Sequence, residues 1–379
     1  MATLHIITPE YPPATGGVAD YTHLIAQRLA EAGDVIHVWG PRTARRETND
    51  AFEVHPEFGC FGANDLARVD QLLDEYSAPR RLLVQWVPHG YGFRAMNIRF
   101  CYWLWDRAQR GDQVELMVHE PYLAFWEGTW RQNAAAVVHR FMTVVLLRAA
   151  TRVWVAIPAW ETKWKPYTLG RSIPFAWLPI SSALPTPDPE AVRDVRRQIG
   201  MSDRPIVGHL GTYGTLITSL LEEVLVELFR ALPEPRVLLM GSNSETFCAS
   251  FLRRHSSFAG RISSTGRLSD SALAAHIAAC DVLVQPYPDG ISSRRTTAMA
   301  GLHLGVPVVT TTGALTEPFW ATSHAARLVP NGEWKALISH VDQLIQDSEE
   351  RTRVTRNAKA LYARMFDVDR TIRALRAAA

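Results

Sequence analysis

A rhythm constrains this chain more than any single residue. Short apolar runs alternate with longer amphipathic stretches, and the pattern runs twice around one proline-rich break. Short apolar runs bounded by turn residues read as buried strands, and the amphipathic stretches between them as helices covering a parallel sheet. In the first half, strands are expected at residues 4–8, 35–39, 82–86, 114–119, 152–156 and 175–180, with helices at 19–32, 65–76, 94–110 and 133–148. The segment Pro179-Ile180-Ser181-Ser182-Ala183-Leu184-Pro185-Thr186-Pro187-Asp188-Pro189 then sets four prolines in eleven residues. Proline fixes φ and removes an amide donor, so this stretch reads as an interdomain linker. Beyond it, strands are expected at 206–210, 236–240, 262–264, 282–285 and 306–310. Helices are expected at 216–231, 244–255, 269–280, 293–304, 333–347, 349–365 and 368–378. Two α/β halves with parallel sheets imply a central cleft between them, a favoured place for a ligand.

Length and charge agree with this division. At 379 residues the chain exceeds one ordinary core. A net charge of +2, from 40 basic and 38 acidic residues, argues against nucleic acid as a partner. The four cysteines (Cys60, Cys101, Cys248, Cys280) form no CxxC pair, which suits a reducing cytoplasm and neither a zinc motif nor a disulfide framework. Residues 4–7 are too short for a signal h-region. The most apolar stretch, 134–157, contains His139, Arg140, Arg148 and Arg152 and falls short of a membrane span. Eight of the 12 tryptophans lie between Trp103 and Trp177. Core packing, an acceptor pocket and a peripheral contact at the inner face of a membrane all remain open for that cluster.

Five junctions that follow strands carry candidate chemistry. The segment Pro286-Tyr287-Pro288-Asp289-Gly290-Ile291-Ser292-Ser293-Arg294-Arg295 leads from a strand into a helix, followed by Gly305-Val306-Pro307-Val308-Val309. Cations in the first turn of a helix oppose its dipole, so Arg294 and Arg295 call for an anionic partner; a solvated arginine pair is the plain alternative. Gly16 and Gly17 precede the first helix and let backbone amides approach a ligand, though they do not make a GxGxxG fingerprint. His119, in Val118-His119-Glu120-Pro121, stands at the carboxyl edge of a strand that the proline ends. It is either a hydrogen-bonding group of a site or a structural histidine. Gly208, Gly211 and Gly214 surround the first loop of the second half, and Thr265-Gly266-Arg267-Leu268-Ser269 is a further turn in which Ser269 is an N-cap candidate. Residues 85–92 border either the acceptor side or nothing more than a packed turn.

Taken together, these junctions resemble the GT-B glycosyltransferases of the family 4 type, which move a sugar from a nucleotide-sugar donor with retention of configuration. The resemblance runs over essentially the whole chain. It implies two Rossmann-like domains facing a cleft: 1–180 on the acceptor side, a linker at 181–189, and 190–355 on the nucleotide-sugar side. It also implies a helical segment, 356–379, packing back toward the first domain. The catalytic set would be His119, Gly17 and Asp289. Gly16, Gly17, Ser292, Ser293, Arg294 and Arg295 would hold the donor diphosphate. Gly211, Thr212, Arg267, Leu268 and Thr297 would face the nucleotide. No metal or cofactor is implied beyond the nucleoside diphosphate sugar as co-substrate, and the partner is a hydroxyl-bearing acceptor. The oligomeric state is left open.

Two departures qualify the resemblance. The family usually carries two glutamates eight positions apart, where this chain has Asp289 and Thr297. The cations usual in the first loop of the second half are replaced by His209, Thr212 and Tyr213, which leaves Arg294 as the best substitute, with Arg295 beside it. A GT-B protein that binds a nucleotide sugar or glycan without turnover is therefore the competing expectation, and a nucleotide-sugar epimerase is a third.

Overall fold

The computed structural model describes residues 2–14, 16–44, 48–49, 52–125, 128–199 and 204–378. The chain forms two compact units, Met1–Ile180 with Val368–Ala379, and Ser181–Asp367.

The first unit opens with β1 (Thr3–Ile7), α1 (Gly17–Glu31), β2 (Val35–Pro41), β3 (Thr48–Asn49), β4 (Phe52–Phe58) and α2 (Ala63–Asp74). It continues with β5 (Arg81–Trp86), α3 (Ile98–Gln109), β6 (Gln113–Val118), α4 (Trp130–Ala149), β7 (Ala150–Val155), α5 (Pro158–Trp164) and β8 (Phe175–Trp177). The strands form one sheet in the order β3-β4-β2-β1-β5-β6-β7-β8. Every pairing is parallel except that of β3 with β4. The central strands are buried on both faces (Ile6, Val84, Leu116 and Val153 are fully inaccessible), which is why they read as unbroken apolar runs.

The second unit contains α6 (Pro189–Gln198), β9 (Ile206–Leu210), α7 (Thr215–Ala231), β10 (Arg236–Met240), α8 (Ser244–Arg254), β11 (Ile262–Ser264) and α9 (Asp270–Ala278). These are followed by β12 (Val282–Gln285), α10 (Thr296–Leu304), β13 (Val308–Thr312), α11 (Phe319–Ser323), β14 (Arg327–Pro330), α12 (Trp334–Gln346) and α13 (Ser348–Met365). Its sheet is parallel throughout, in the order β11-β10-β9-β12-β13-β14. One core cluster, including Val224, Leu228, Phe251 and Val341, lies between α7, α8, α12 and the strands. Among the described residues no helix is long and apolar enough to cross a membrane.

Several boundaries differ from the sequence reading, each for a local reason. Pro189 opens α6 instead of ending the linker, because Asp188 caps the helix by accepting from the Glu190 amide at 3.1 Å and proline suits the first turn. The proline-rich segment is not a loose tether: Ser181 and Ser182 are buried, and the Ser182 amide donates to the Tyr362 hydroxyl at 3.0 Å. The helix expected from 94 begins at Ile98, capped by Asn97, whose side chain accepts from Phe100 N at 3.0 Å.

The expected terminal segment 356–379 is divided. The helix α13 stays with the second unit, while α14 (Val368–Ala377) belongs to the first. There Asp369 meets Arg28 at 2.7 Å, the Leu375 carbonyl accepts from Arg81 at 2.7 Å, and Arg376 meets Asp34 at 3.0 Å.

Candidate functional site

In the first unit the functional groups gather where β1, β5 and β6 end. Gly16 stands at the N-cap of α1 and, having no side chain, makes no side-chain cap hydrogen bond to the first-turn amides. A side chain at Gly16 would reach within 2.5 Å of the Glu10 carboxylate, so the loop packs closest where glycine stands. Thr15, within this loop, lies outside the described residues. One turn into α1, the Tyr21 ring meets the His119 ring edge-on at 5.3 Å. His119 is buried just past β6, its amide donating to the Trp86 carbonyl at 3.0 Å and its own carbonyl accepting from Trp160 Nε1 at 2.9 Å.

His119 Nε2 lies 2.7 Å from Gln85 Oε1, and burial lowers the ring's pKa to about 4. The imidazole is therefore neutral near pH 7, and with the amide oxygen facing Nε2 that nitrogen carries the proton. Tyr21 Oη and Gln85 Nε2 are buried with no hydrogen-bond partner among the described residues. The structure thus brings the glycine-led helix and His119 together through Tyr21, and adds Gln85 as the group that orients the histidine.

In the second unit, the loop from Pro286 to Arg295 departs from β12. Gly290 has φ +82°, and a side chain there would run into Gly313 and Thr316, so the loop folds tightly over the segment after β13. That fold is pinned by hydrogen bonds from the Ile291 amide to the Thr311 carbonyl (2.8 Å) and from the Leu315 amide to the Asp289 carbonyl (3.0 Å). Helix α10 begins at Thr296, not 293, so Arg294 and Arg295 do not occupy its first turn. Both guanidinium groups instead turn back onto one carboxylate. Arg294 reaches Asp289 Oδ2 at 2.6 Å, and Arg295 pairs with Oδ1. Pairing with a carboxylate satisfies the cations better than the positive end of a helix would.

Arg295 also stacks over Tyr287 at 4.5 Å, and the Tyr287 hydroxyl lies 2.6 Å from Thr297 Oγ1. The result is one carboxylate against two guanidiniums, a net positive cluster with each arginine side chain 19% exposed. Ser293 points away from it. Its amide donates to Glu317 at 3.0 Å and its hydroxyl at 2.5 Å, while Trp320 Nε1 donates to the same carboxylate at 2.8 Å. Burial raises the pKa of Glu317. Ser292 Oγ is buried with no partner among the described residues.

The remaining predicted residues lie at the ends of β9, β10 and β11, drawn together by Gly241. It has φ +104°, a side chain there would collide with the Gly211 carbonyl, and its amide donates to the Gly266 carbonyl at 3.2 Å. Gly211 and Thr212 thus sit beside the turn that carries Arg267 and Leu268, with Thr212 and Arg267 exposed. Ser269 caps α9, its hydroxyl accepting from the Ala272 amide at 3.4 Å. Beneath, His209 is buried with its pKa lowered to about 4 by burial, and it donates from Nδ1 to the Val284 carbonyl at 2.8 Å. His209 Nε2 and both amide atoms of Gln285 have no partner among the described residues. Such a floor of unsatisfied polar groups at the carboxyl end of a parallel sheet suits a hydrogen-bonding ligand or bridging water.

Gly241 and Glu317 escaped the sequence reading, and of the two only Gly241 had a local signal, a glycine directly after a strand; Gln85 and Tyr287 lie in stretches that the sequence singled out without giving either residue a role.

Residues 204–347 match the family described as Glycosyl transferases group 1. No curated protein sequence matches the chain. Among solved structures, sucrose-phosphate synthase from Thermosynechococcus elongatus is similar with a TM-score of 0.76, covering 100% of both chains at 18% identity. HepE from Anabaena, solved in complex with UDP and glucose, has a TM-score of 0.68 over 100% of this chain and 98% of that one, at 17% identity. WaaG, a glycosyltransferase involved in lipopolysaccharide biosynthesis, has a TM-score of 0.65 over 95% of each chain at 14% identity. At these identities the likeness is one of fold, two Rossmann-like units of the GT-B type.

Proposed function

We propose that the chain is a glycosyltransferase of the group 1 type, the family that residues 204–347 match, and that on its GT-B fold it moves a sugar from a nucleoside diphosphate sugar to a hydroxyl acceptor with retention of configuration. The observation that carries the reading is the Asp289–Arg294–Arg295 cluster, a guanidinium excess held at the carboxyl end of β12. Breaking the anomeric bond places positive charge on the sugar and negative charge on the departing diphosphate. Guanidinium groups already oriented by Asp289 stabilise that leaving charge without reorganising, an effect worth several kcal/mol in total. The amides at Gly16 and Gly17 add donors for the phosphates and sugar, and neutral His119, oriented by Gln85, hydrogen-bonds a sugar hydroxyl. Gly211, Thr212, Arg267, Leu268 and Thr297 contact the nucleotide. No covalent intermediate and no metal enter this scheme.

HepE was solved with UDP and glucose, which makes uridine the first base to test. Thermal shift against UDP, ADP, GDP and their sugars checks it. Saturation at about 100 times Kd adds about 2.7 kcal/mol to stability, so one base should raise the melting temperature clearly above the others. A flat response to every nucleotide contradicts the reading.

One observation favours the turnover-free alternative. Both oxygens of Asp289 are engaged by arginines, and Thr297 is held by Tyr287. Under that reading the protein binds donor without releasing nucleoside diphosphate.

For the acceptor, a lipid-linked hydroxyl at a membrane surface fits best. Tyr102 and Trp105 on α3 and Phe141 on α4 are exposed neighbours, with Tyr102 6.4 Å from Trp105 and 6.3 Å from Phe141, and Arg99 and Arg148 are exposed on the same helices. Aromatic and basic residues together suit an anionic bilayer. Flotation with phosphatidylglycerol vesicles should retain the wild type and lose a Tyr102→Ser, Trp105→Ser, Phe141→Ser variant. Equal flotation of both sinks the idea.

A further inference from the structure

Away from these loops, two histidines and a glutamate converge on one face of the first unit's sheet. His37 lies on β2, paired in register with Glu53 of β4, and His55 follows two residues after Glu53 on the same strand face. His37 Nδ1 is 3.1 Å from His55 Nε2 and 3.4 Å from Glu53 Oε2, and His55 Nε2 is 3.6 Å from the same oxygen. A tetrahedral Zn²⁺ with bonds of about 2.0–2.1 Å sets its donor atoms about 3.3–3.4 Å apart. The three atoms therefore already sit near the corners of one face of such a tetrahedron.

The rings are held in place by their neighbours. Trp39 stacks on His55 at 4.1 Å and 13°, and His5 stacks on His37 at 5.0 Å and 16°. Trp39 Nε1 donates to His5 Nδ1 at 3.1 Å, which ties the two stacks together. The Tyr76 hydroxyl lies 3.4 Å from His37 Nδ1. Two imidazoles and one carboxylate carry a net negative charge when the rings are neutral, and this donor set suits zinc over the oxygen-seeking magnesium and calcium ions.

We propose that His37, His55 and Glu53 form a structural zinc site that fastens β4 to β2. It stands apart from His119. His37 pairs with His5, His5 with Leu82, and Leu82 with Val114, whereas His119 lies five residues beyond Val114. At about 3.3 Å per residue and about 4.8 Å per strand, the separation is about 16 Å along the sheet and three strands across. The ion would act on the stability of the outer strands and not on transfer.

The test uses the full chain, stripped with chelator and titrated with Zn²⁺ and, separately, Co²⁺. One equivalent should bind, raise the melting temperature, and give with Co²⁺ the intense visible absorption of a tetrahedral site. Glu53→Gln, at a half-exposed position, should fold normally and weaken Zn²⁺ by at least about tenfold. His55→Ala should abolish the Co²⁺ spectrum. Cys60→Ser, which removes the exposed thiol, should leave the stoichiometry at one. Binding below a tenth of an equivalent, an octahedral Co²⁺ spectrum, or binding lost with Cys60 and kept with Glu53→Gln overturns the proposal and leaves a hydrogen-bonded histidine pair.

Discussion

Glu317 holds Ser293 by two donors, the amide at 3.0 Å and the hydroxyl at 2.5 Å. This buried carboxylate anchors the loop that carries Asp289, Arg294 and Arg295 to the segment before α11. Removing it strands the Ser293 amide and Trp320 Nε1 in a dry interior. Each unsatisfied buried donor costs about 1–3 kcal/mol, so Glu317→Ala should lose roughly 2–5 kcal/mol in urea unfolding. Glu317→Gln, which keeps an acceptor, should lose clearly less. An alanine variant as stable as the wild type would show that the anchor is ornamental.

Gly290→Ala tests the loop from the other side. Its φ of +82° and its closeness to Gly313 and Thr316 leave no room for a side chain. The left-handed conformation alone costs about 1–2 kcal/mol, and the collision adds to it, so a loss of at least about 2 kcal/mol is expected. Donor affinity should fall as well, since Asp289 is the adjacent residue. Unchanged unfolding would mean that the loop takes another course.

His119 makes a prediction about pH. Its folded pKa of about 4 lies below the 6.5 of a free ring. Between those values the unfolded chain holds a proton that the folded chain does not, so stability is full above about pH 6.5 and falls as pH drops toward 4. The contribution is about 3 kcal/mol across that window. Replacing the ring by His119→Asn should flatten the dependence of unfolding free energy on pH by up to one proton's worth, about 1.4 kcal/mol per unit. An identical slope in both proteins contradicts a buried neutral histidine.

The fold class was legible because the central strands, such as β5 and β12, are buried on both faces and appear as unbroken apolar runs. What stayed hidden was hidden for physical reasons. Strand β4 carries Glu53, Pro56 and Glu57, a composition that reads as a loop, and a strand near a sheet edge tolerates it. With β4 unread, the pairing of His37 with Glu53 could not be seen, and neither could the cluster around it. The helix expected from 293 begins at Thr296, because the Ser293 hydroxyl goes to Glu317, which lies 24 residues away and leaves no local trace. The sequence shows that the arginines need an anion. That the first anion they meet is Asp289, inside the same loop, is a matter of backbone geometry set by Gly290.

Release of nucleoside diphosphate from a panel of nucleotide sugars, with and without lipid-linked and free hydroxyl acceptors, bears on this reading more than any other experiment. The wild type should release nucleoside diphosphate with one donor class, and Arg294→Ala should lower the rate about 10²–10³-fold while remaining folded. A wild-type protein that binds a nucleotide sugar tightly yet releases nothing with any acceptor would contradict transfer and leave a binding protein on a glycosyltransferase scaffold.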